Sequence, residues 1–167
     1  EQKEIKEYCE KIGLQYLCTP FSSAAADILE QVGVDAYKTG SGELTNLPML
    51  RHMAKKGKPM IISTGMSKME EIDDAVAVMR EENCPFILTH CLSEYPPDYA
   101  HMNLGLMKKF EDKYGVFVGL SDHSVEIYSA LAAVALGAKV VEKHFTISDV
   151  KGPDDVVSLL PEQLKTM

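Results

Sequence analysis

The chain has 167 residues, 46% of them hydrophobic, and a formal net charge of −8. That is enough apolar side chain for one domain with its own core, and too much for a disordered tail. The acidic balance, with no basic stripe, excludes nucleic acid and anionic membrane surfaces as partners, and no apolar run is long enough to span a bilayer.

The chain opens with an amphipathic helix that places Ile5, Tyr8, Cys9 and Ile12 on one face. Six short apolar runs follow, each ending in small and polar residues: "QYLCTPFS", "DAYKTGSG", "PMIISTGM", "FILTHCLS", "VFVGLSDHS" and "KVVEKHFT". Helical patterns lie between them, at 24–32, 47–56, 68–82, 103–114 and 125–136. In "SKMEE", Ser67 stands three residues before Glu70, the spacing of a capping box. "GVD" and "GAK" put Gly33 and Gly137 where helices stop and strands start. The four cysteines, Cys9, Cys18, Cys84 and Cys91, form no CxxC pair and read as reduced thiols of a cytoplasmic protein.

Strand and helix in strict alternation predict an α/β fold with a parallel sheet and right-handed crossovers. An open doubly wound sheet and a (β/α)8 TIM barrel both satisfy this. "KTGSGE" is a poor dinucleotide loop, because it lacks the third glycine and the acidic partner. All six runs carry polar residues at their C-terminal ends. A barrel gathers all such ends around one mouth, whereas an open sheet concentrates its site at one switch point. The expectation is therefore an incomplete barrel. Eight strands close such a barrel, so two are expected to lie before Glu1.

The strand ends bring chemistry-bearing residues together. His123 and His144 come from neighbouring ends, where two imidazoles can share a divalent ion. The bland reading is that each packs neutrally in the wall. Glu142 and His144 are two apart on a strand and face the same way. His52 and His101 lie in helical or loop contexts and read as solvated. Lys38 is a lysine inside a strand, costly unless it meets an anion. Its rival readings are the outer face of the sheet, or pairing with Glu43 or Glu142. The glycines of "TGSGE" allow backbone N–H groups to approach an anion, or simply make a turn. Tyr95, with Pro96 and Pro97, forms a stiff loop. In "KGPDD", Asp154 or Asp155 could bind sugar hydroxyls, or build a turn.

The motifs "TPFS", "YKTGSGE", "ISTGMS", "HCLSEYP", "GLSDHS", "GAKVVEKHFT" and "KGPD" occur in this order along the chain. Together they resemble the sialic acid synthase family, which condenses phosphoenolpyruvate with N-acetylmannosamine, its 6-phosphate or a related aminosugar. The resemblance implies a TIM barrel in which this chain supplies about strands 3–8. It also implies that the first two strands are absent, together with a C-terminal antifreeze-like domain that reaches into the partner's site in a homodimer. His123 and His144 match metal ligands, for manganese or else magnesium or cobalt. Thr19 and Lys38 match residues that hold phosphoenolpyruvate, and Ser41 and Ser121 match phosphate contacts. Ser93 stands where the family often has a phosphate-contacting asparagine. Tyr95 and Asp154 match aminosugar contacts. No catalytic base is assigned; Glu142 and Asp122 are the candidates, and Asp122 is also suited to orienting its neighbour. Synthases for legionaminic acid, pseudaminic acid or a spore-coat sugar would share these contacts. A metal aldolase that does not use phosphoenolpyruvate, and an inactive barrel fragment, are the other readings.

Overall fold

A computed structural model describes residues 1–147 and 152–167. It divides into two compact units, Glu1–Ile62 with Ser67–Phe86, and Ser63–Met66 with Ile87–Met167. The strands follow one another in chain order, and every described pairing between them is parallel.

The first unit holds α1 (Gln2–Lys11), α2 (Ser23–Val32), β1 (Tyr37–Thr39), α3 (Leu47–Ala54), most of β2 (Met60–Ser63) and α4 (Met69–Glu81). β1 pairs with β2, with Lys38 opposite Ile61. Helix α2 begins where the Ser22 hydroxyl accepts the Ala25 N–H at 3.1 Å and ends at Gly33 with φ of 82°. That left-handed stop suits glycine because no Cβ opposes it. The apolar faces of α2, α3 and α4 bury Leu29, Leu50, Met53, Ile72 and Met79 with the strand residues Met60 and Ile62. Each such side chain contributes roughly 1.5–3 kcal/mol on leaving water. Arg51 on α3 forks to Glu81 and Glu82 at the end of α4, both at 2.5 Å.

The second unit holds β3 (Phe86–Cys91), whose first residue belongs to the first unit, then α5 (Gly105–Tyr114), β4 (Val118–Asp122), α6 (Tyr128–Ala135), β5 (Val140–Lys143) and α7 (Pro161–Thr166). β4 lies between β3 and β5 and is buried along all five residues. Its near-continuous apolar start, ending in Ser121 and Asp122, is what a covered parallel strand with a polar exit looks like. Gly119 is required there: a Cβ on it would lie 2.4 Å from the Val140 carbonyl oxygen of β5. Phe110, Met107, Leu120 and Ala133 fill the space between β4 and its helices.

Three expectations are corrected. "QYLCTPFS" is no strand: it extends between α1 and α2 without a ladder among the described residues, and β-branched or aromatic content cannot make a strand without a partner edge. Among the described residues five strands are therefore found where six were expected. The capping box sits one residue later than the sequence suggests. The Lys68 N–H donates to the Glu71 carboxylate at 2.7 Å, so the helix starts at Met69 and Ser67–Glu70 is not the capping pair. His52 is not simply solvated, because its Nε2 lies 2.8 Å from the Asp27 carboxylate, which Lys56 also holds.

Candidate functional site

The second unit gathers the ends of β3, β4 and β5. Register puts Cys91 beside Ser121, and Ser121 beside Glu142. His90, Cys91, Ser121, Asp122, His123 and Ser124 are all buried. So many polar groups at the strand exits must be satisfied locally or by a ligand.

His123 stands immediately beyond β4. Its Nδ1 lies 3.0 Å from the Leu92 carbonyl oxygen and 3.9 Å from Cys91 Sγ. A carbonyl only accepts, so Nδ1 carries the proton and Nε2 presents a lone pair. Tyr95 O–H donates to that Nε2 at 2.8 Å, and its ring stacks on the imidazole with centroids 4.0 Å apart. Burial, with the nearby Cys91, Asp154 and Glu142, raises the Tyr95 pKa and keeps the hydroxyl protonated as a donor. His144 follows β5, with its ring centroid 5.3 Å from that of His123 and edge-on to Tyr95 at 5.6 Å. Asp154 Oδ2 lies 3.5 Å from His144 Nδ1, a contact that favours a proton on Nδ1 and a lone pair on Nε2.

The two imidazoles have different affinities for a proton. Burial lowers the His144 pKa, and the neighbouring His123 lowers it further. Burial alone would lower that of His123 too. The Cys91 sulfur, the Leu92 carbonyl and the Glu142 carboxylate outweigh it and set the net shift upward.

Asp122 is fully buried, and both of its oxygens are engaged. Oδ1 accepts the Ser124 N–H at 2.9 Å and Oδ2 pairs with Lys143 at 3.0 Å. This arrangement fits orientation of the loop and leaves no carboxylate oxygen open for activating water. Glu142 is exposed, and its charge acts on Tyr95, His123 and His144. Ser93 Oγ sits 3.7 Å from Cys91 Sγ. Asp155 builds the turn instead of facing the rings: its carboxylate accepts from Gly152 N–H at 2.9 Å and from the Thr146 hydroxyl at 3.4 Å. Of the two rival aspartates, Asp154 is the one beside the imidazoles. Lys151 lies outside the described residues.

The first unit holds the remaining candidates. Lys38 is buried on β1, and its ammonium donates to the Thr39 carbonyl at 2.7 Å. Ser41 opens the short 3-10 turn after β1. Thr19 lines an open cavity of about 290 Å³ with Pro20, Phe21 and Ile28.

Sequence reading missed Lys143, whose side chain is 2% exposed. His90, a strand-end residue to which the sequence assigns no role, donates from Nε2 to the Met102 carbonyl at 2.6 Å. Two imidazole nitrogens face outward here as potential ligands for a cation, His123 Nε2, which now accepts the Tyr95 hydroxyl, and His144 Nε2. That donor chemistry fits a borderline divalent ion. Among the described residues no group of three His, Cys, Asp or Glu side chains could hold a metal ion. No helix among the described residues is long and apolar enough to cross a membrane.

Comparison with known proteins converges on one family. The family model described as NeuB family matches residues 1–167. The chain is 45% identical over 166 residues to an uncharacterized protein of Methanocaldococcus jannaschii, covering 98% of this chain and 49% of that one. It is 41% identical to N,N'-diacetyllegionaminic acid synthase of Campylobacter jejuni, covering 99% and 51%. The crystal structure of N-acetylneuraminic acid (sialic acid) synthetase from Leptospira borgpetersenii matches it with a TM-score of 0.96 at 34% identity, over 99% of this chain and 60% of that one. The chain spans about half the length of the curated relatives it matches. With the match running from the first residue to the last, the chain belongs to the NeuB family, whose named members include synthases of sialic-type sugar acids.

Proposed function

We infer that the whole protein condenses phosphoenolpyruvate with N-acetylmannosamine or its 6-phosphate, giving a sialic acid and inorganic phosphate. The observation that carries this reading is the pair of imidazoles at neighbouring strand ends, one hydrogen-bonded through Nδ1 to the Leu92 carbonyl and the other with Nδ1 3.5 Å from the Asp154 carboxylate, in a chain of this family.

A divalent ion, manganese in the first instance, would be held by His123 and His144 and would polarise the aldehyde of the open-chain sugar. Tyr95 gives its ring as one wall of the sugar site, and Asp154 orients His144 while presenting its second oxygen to sugar hydroxyls. Ser121 and Ser93 donate to phosphate. The new bond joins C3 of phosphoenolpyruvate to the aldehyde carbon, whose oxygen takes a proton. Water adds at C2, and the tetrahedral carbon then expels phosphate by breaking its C–O bond. Glu142 is the candidate for taking the proton from that water, since the Asp122 oxygens are both engaged. Thr19, Lys38 and Ser41 are assigned to phosphoenolpyruvate, and Lys38→Met should raise the KM for phosphoenolpyruvate more than that for the sugar.

A second reading, a legionaminic-type synthase, is favoured by the 41% identity to the Campylobacter jejuni enzyme of that name. The test is phosphate release by the purified whole protein with phosphoenolpyruvate, manganese and, in turn, N-acetylmannosamine, its 6-phosphate and a diacetamido sugar. Release with one sugar chooses between the readings. His123→Ala and His144→Ala should each abolish metal-dependent release. No release with any sugar refutes the condensation reading.

A further inference from the structure

Lys143 occupies the last position of β5, between Glu142 and His144, and strand alternation turns its side chain away from both. Its side chain is 2% exposed, and its ammonium meets three oxygens. These are Asp122 Oδ2 at 3.0 Å, the Ser124 carbonyl, and the Ser124 hydroxyl at 3.4 Å. Asp122 Oδ1 accepts the Ser124 N–H at 2.9 Å. The residues on both sides of His123 are thus tied to one cation, and that cation is covalently next to His144.

We propose that Lys143 is a positioning residue: through Asp122 and Ser124 it fixes the backbone of His123 against β5 and so sets the separation of the two imidazoles. The proposal rests on the reading of His123 and His144 as cation ligands. A buried ion pair is a weak source of stability, since an apolar pair of the same volume does as well. What it supplies is direction. Three oxygens around one ammonium fix an angle and a distance, whereas an apolar contact can slide. A point-like ammonium with three donors suits three acceptors converging from one side, and a planar guanidinium does not.

Two variants of the whole protein test this. Lys143→Met with Asp122→Asn removes the charges together, so that neither is left buried alone. Lys143→Arg keeps the charge and hence the fold, but misplaces the donors. The imidazole signals of His123 and His144 are read by nitrogen-15 correlation spectra, and manganese affinity by electron paramagnetic resonance of free Mn2+. In the unaltered protein His123 should show one tautomer, protonated on Nδ1. In both variants its signals should move toward the tautomer average, and manganese affinity should fall about 10–100-fold, as on loss of an orienting partner. A folded variant with native His123 signals overturns the proposal; if the neutral pair does not fold, Lys143→Arg decides. An unaltered protein that binds no manganese removes the metal reading, and the imidazole spectra still decide whether Lys143 positions His123.

Discussion

Gly119→Ala would insert one methyl group between β4 and β5. The new Cβ would lie 2.4 Å from the Val140 carbonyl oxygen, and 3.1 Å from the Val140 carbonyl carbon and Cβ. Ordinary contacts begin at 3.4 Å, so the two strands must part locally by about 1 Å, a displacement that can cost 100-fold in rate when it reaches a reacting group. The obstructing atom is backbone and cannot rotate away. Overpacking of this kind costs about 1–3 kcal/mol, offset by roughly 0.4–1 kcal/mol because alanine stiffens the unfolded chain. The net loss, about 1.3 kcal/mol at the middle of these ranges, lowers the Tm by about 2–4 °C per kcal/mol in a protein of this size. Val140 opens the strand that ends in Lys143, next to His144, so manganese affinity should fall as well. Thermal unfolding followed by circular dichroism, with metal binding on the same samples, reads both effects. Gly105→Ala is the control: a Cβ there meets nothing within 4 Å at the first residue of α5, and it should hold or raise the Tm. A Gly119→Ala protein that melts no lower than the parent and binds manganese equally well refutes the link between this strand contact and the site.

Tyr95→Phe keeps the stacked ring but removes the donor to His123 Nε2. Since that nitrogen is the proposed ligand, manganese affinity should hold or rise, while stability falls by about 0.5–1.5 kcal/mol; a loss of affinity as large as in His123→Ala counts against the competition. His90 is buried, and burial holds its pKa below the ordinary 6.5 despite the opposing Met102 carbonyl. The unfolded chain therefore takes up the proton first, so its contribution is complete above pH 6.5 and is lost as the pH falls. Stability should drop less between pH 7 and 5 in His90→Gln than in the parent by urea titration, and identical slopes would show that His90 is not the linked group. Helix α6 exposes Tyr128, Leu131 and Val134, an apolar face that invites association. Residues 1–167 alone should self-associate in sedimentation experiments, and Leu131→Glu with Val134→Glu should reduce this; a monodisperse unaltered chain sinks the idea.

What the sequence made legible was local and periodic. The parallel strands from β1 to β5 and the helices between them could be read from apolar runs, 3.6-residue spacing and the glycines at 33 and 137. Residues 15–22 failed because being a strand depends on a neighbour, which propensity does not encode. The strand exits were legible as a polar cluster, because polar residues at the end of an apolar run need a reason. The pairing of Asp154 with His144 and of Lys143 with Asp122 was not. Both join residues ten or more positions apart across a turn or a ladder, and a lysine in a sequence reads as surface because it almost always is. The choice between Asp154 and Asp155 likewise depended on which carboxylate the turn used for itself.

The complete burial of β4 has a consequence in time. Its amides are paired on both sides, by β3 and by β5, so their hydrogens should exchange only with opening of the unit's core. Tyr95 is 48% exposed on a loop, and Asp154 stands on an exposed turn, where exchange belongs to the fast end of the same scale. The cluster thus joins a slow floor, carrying Ser121 and the backbone before His123, to a fast roof. A ligand entering there would find the floor already in place and would slow only the roof, so the protection it adds should appear at residues 92–98 and 152–155 and leave 118–122 as slow as before.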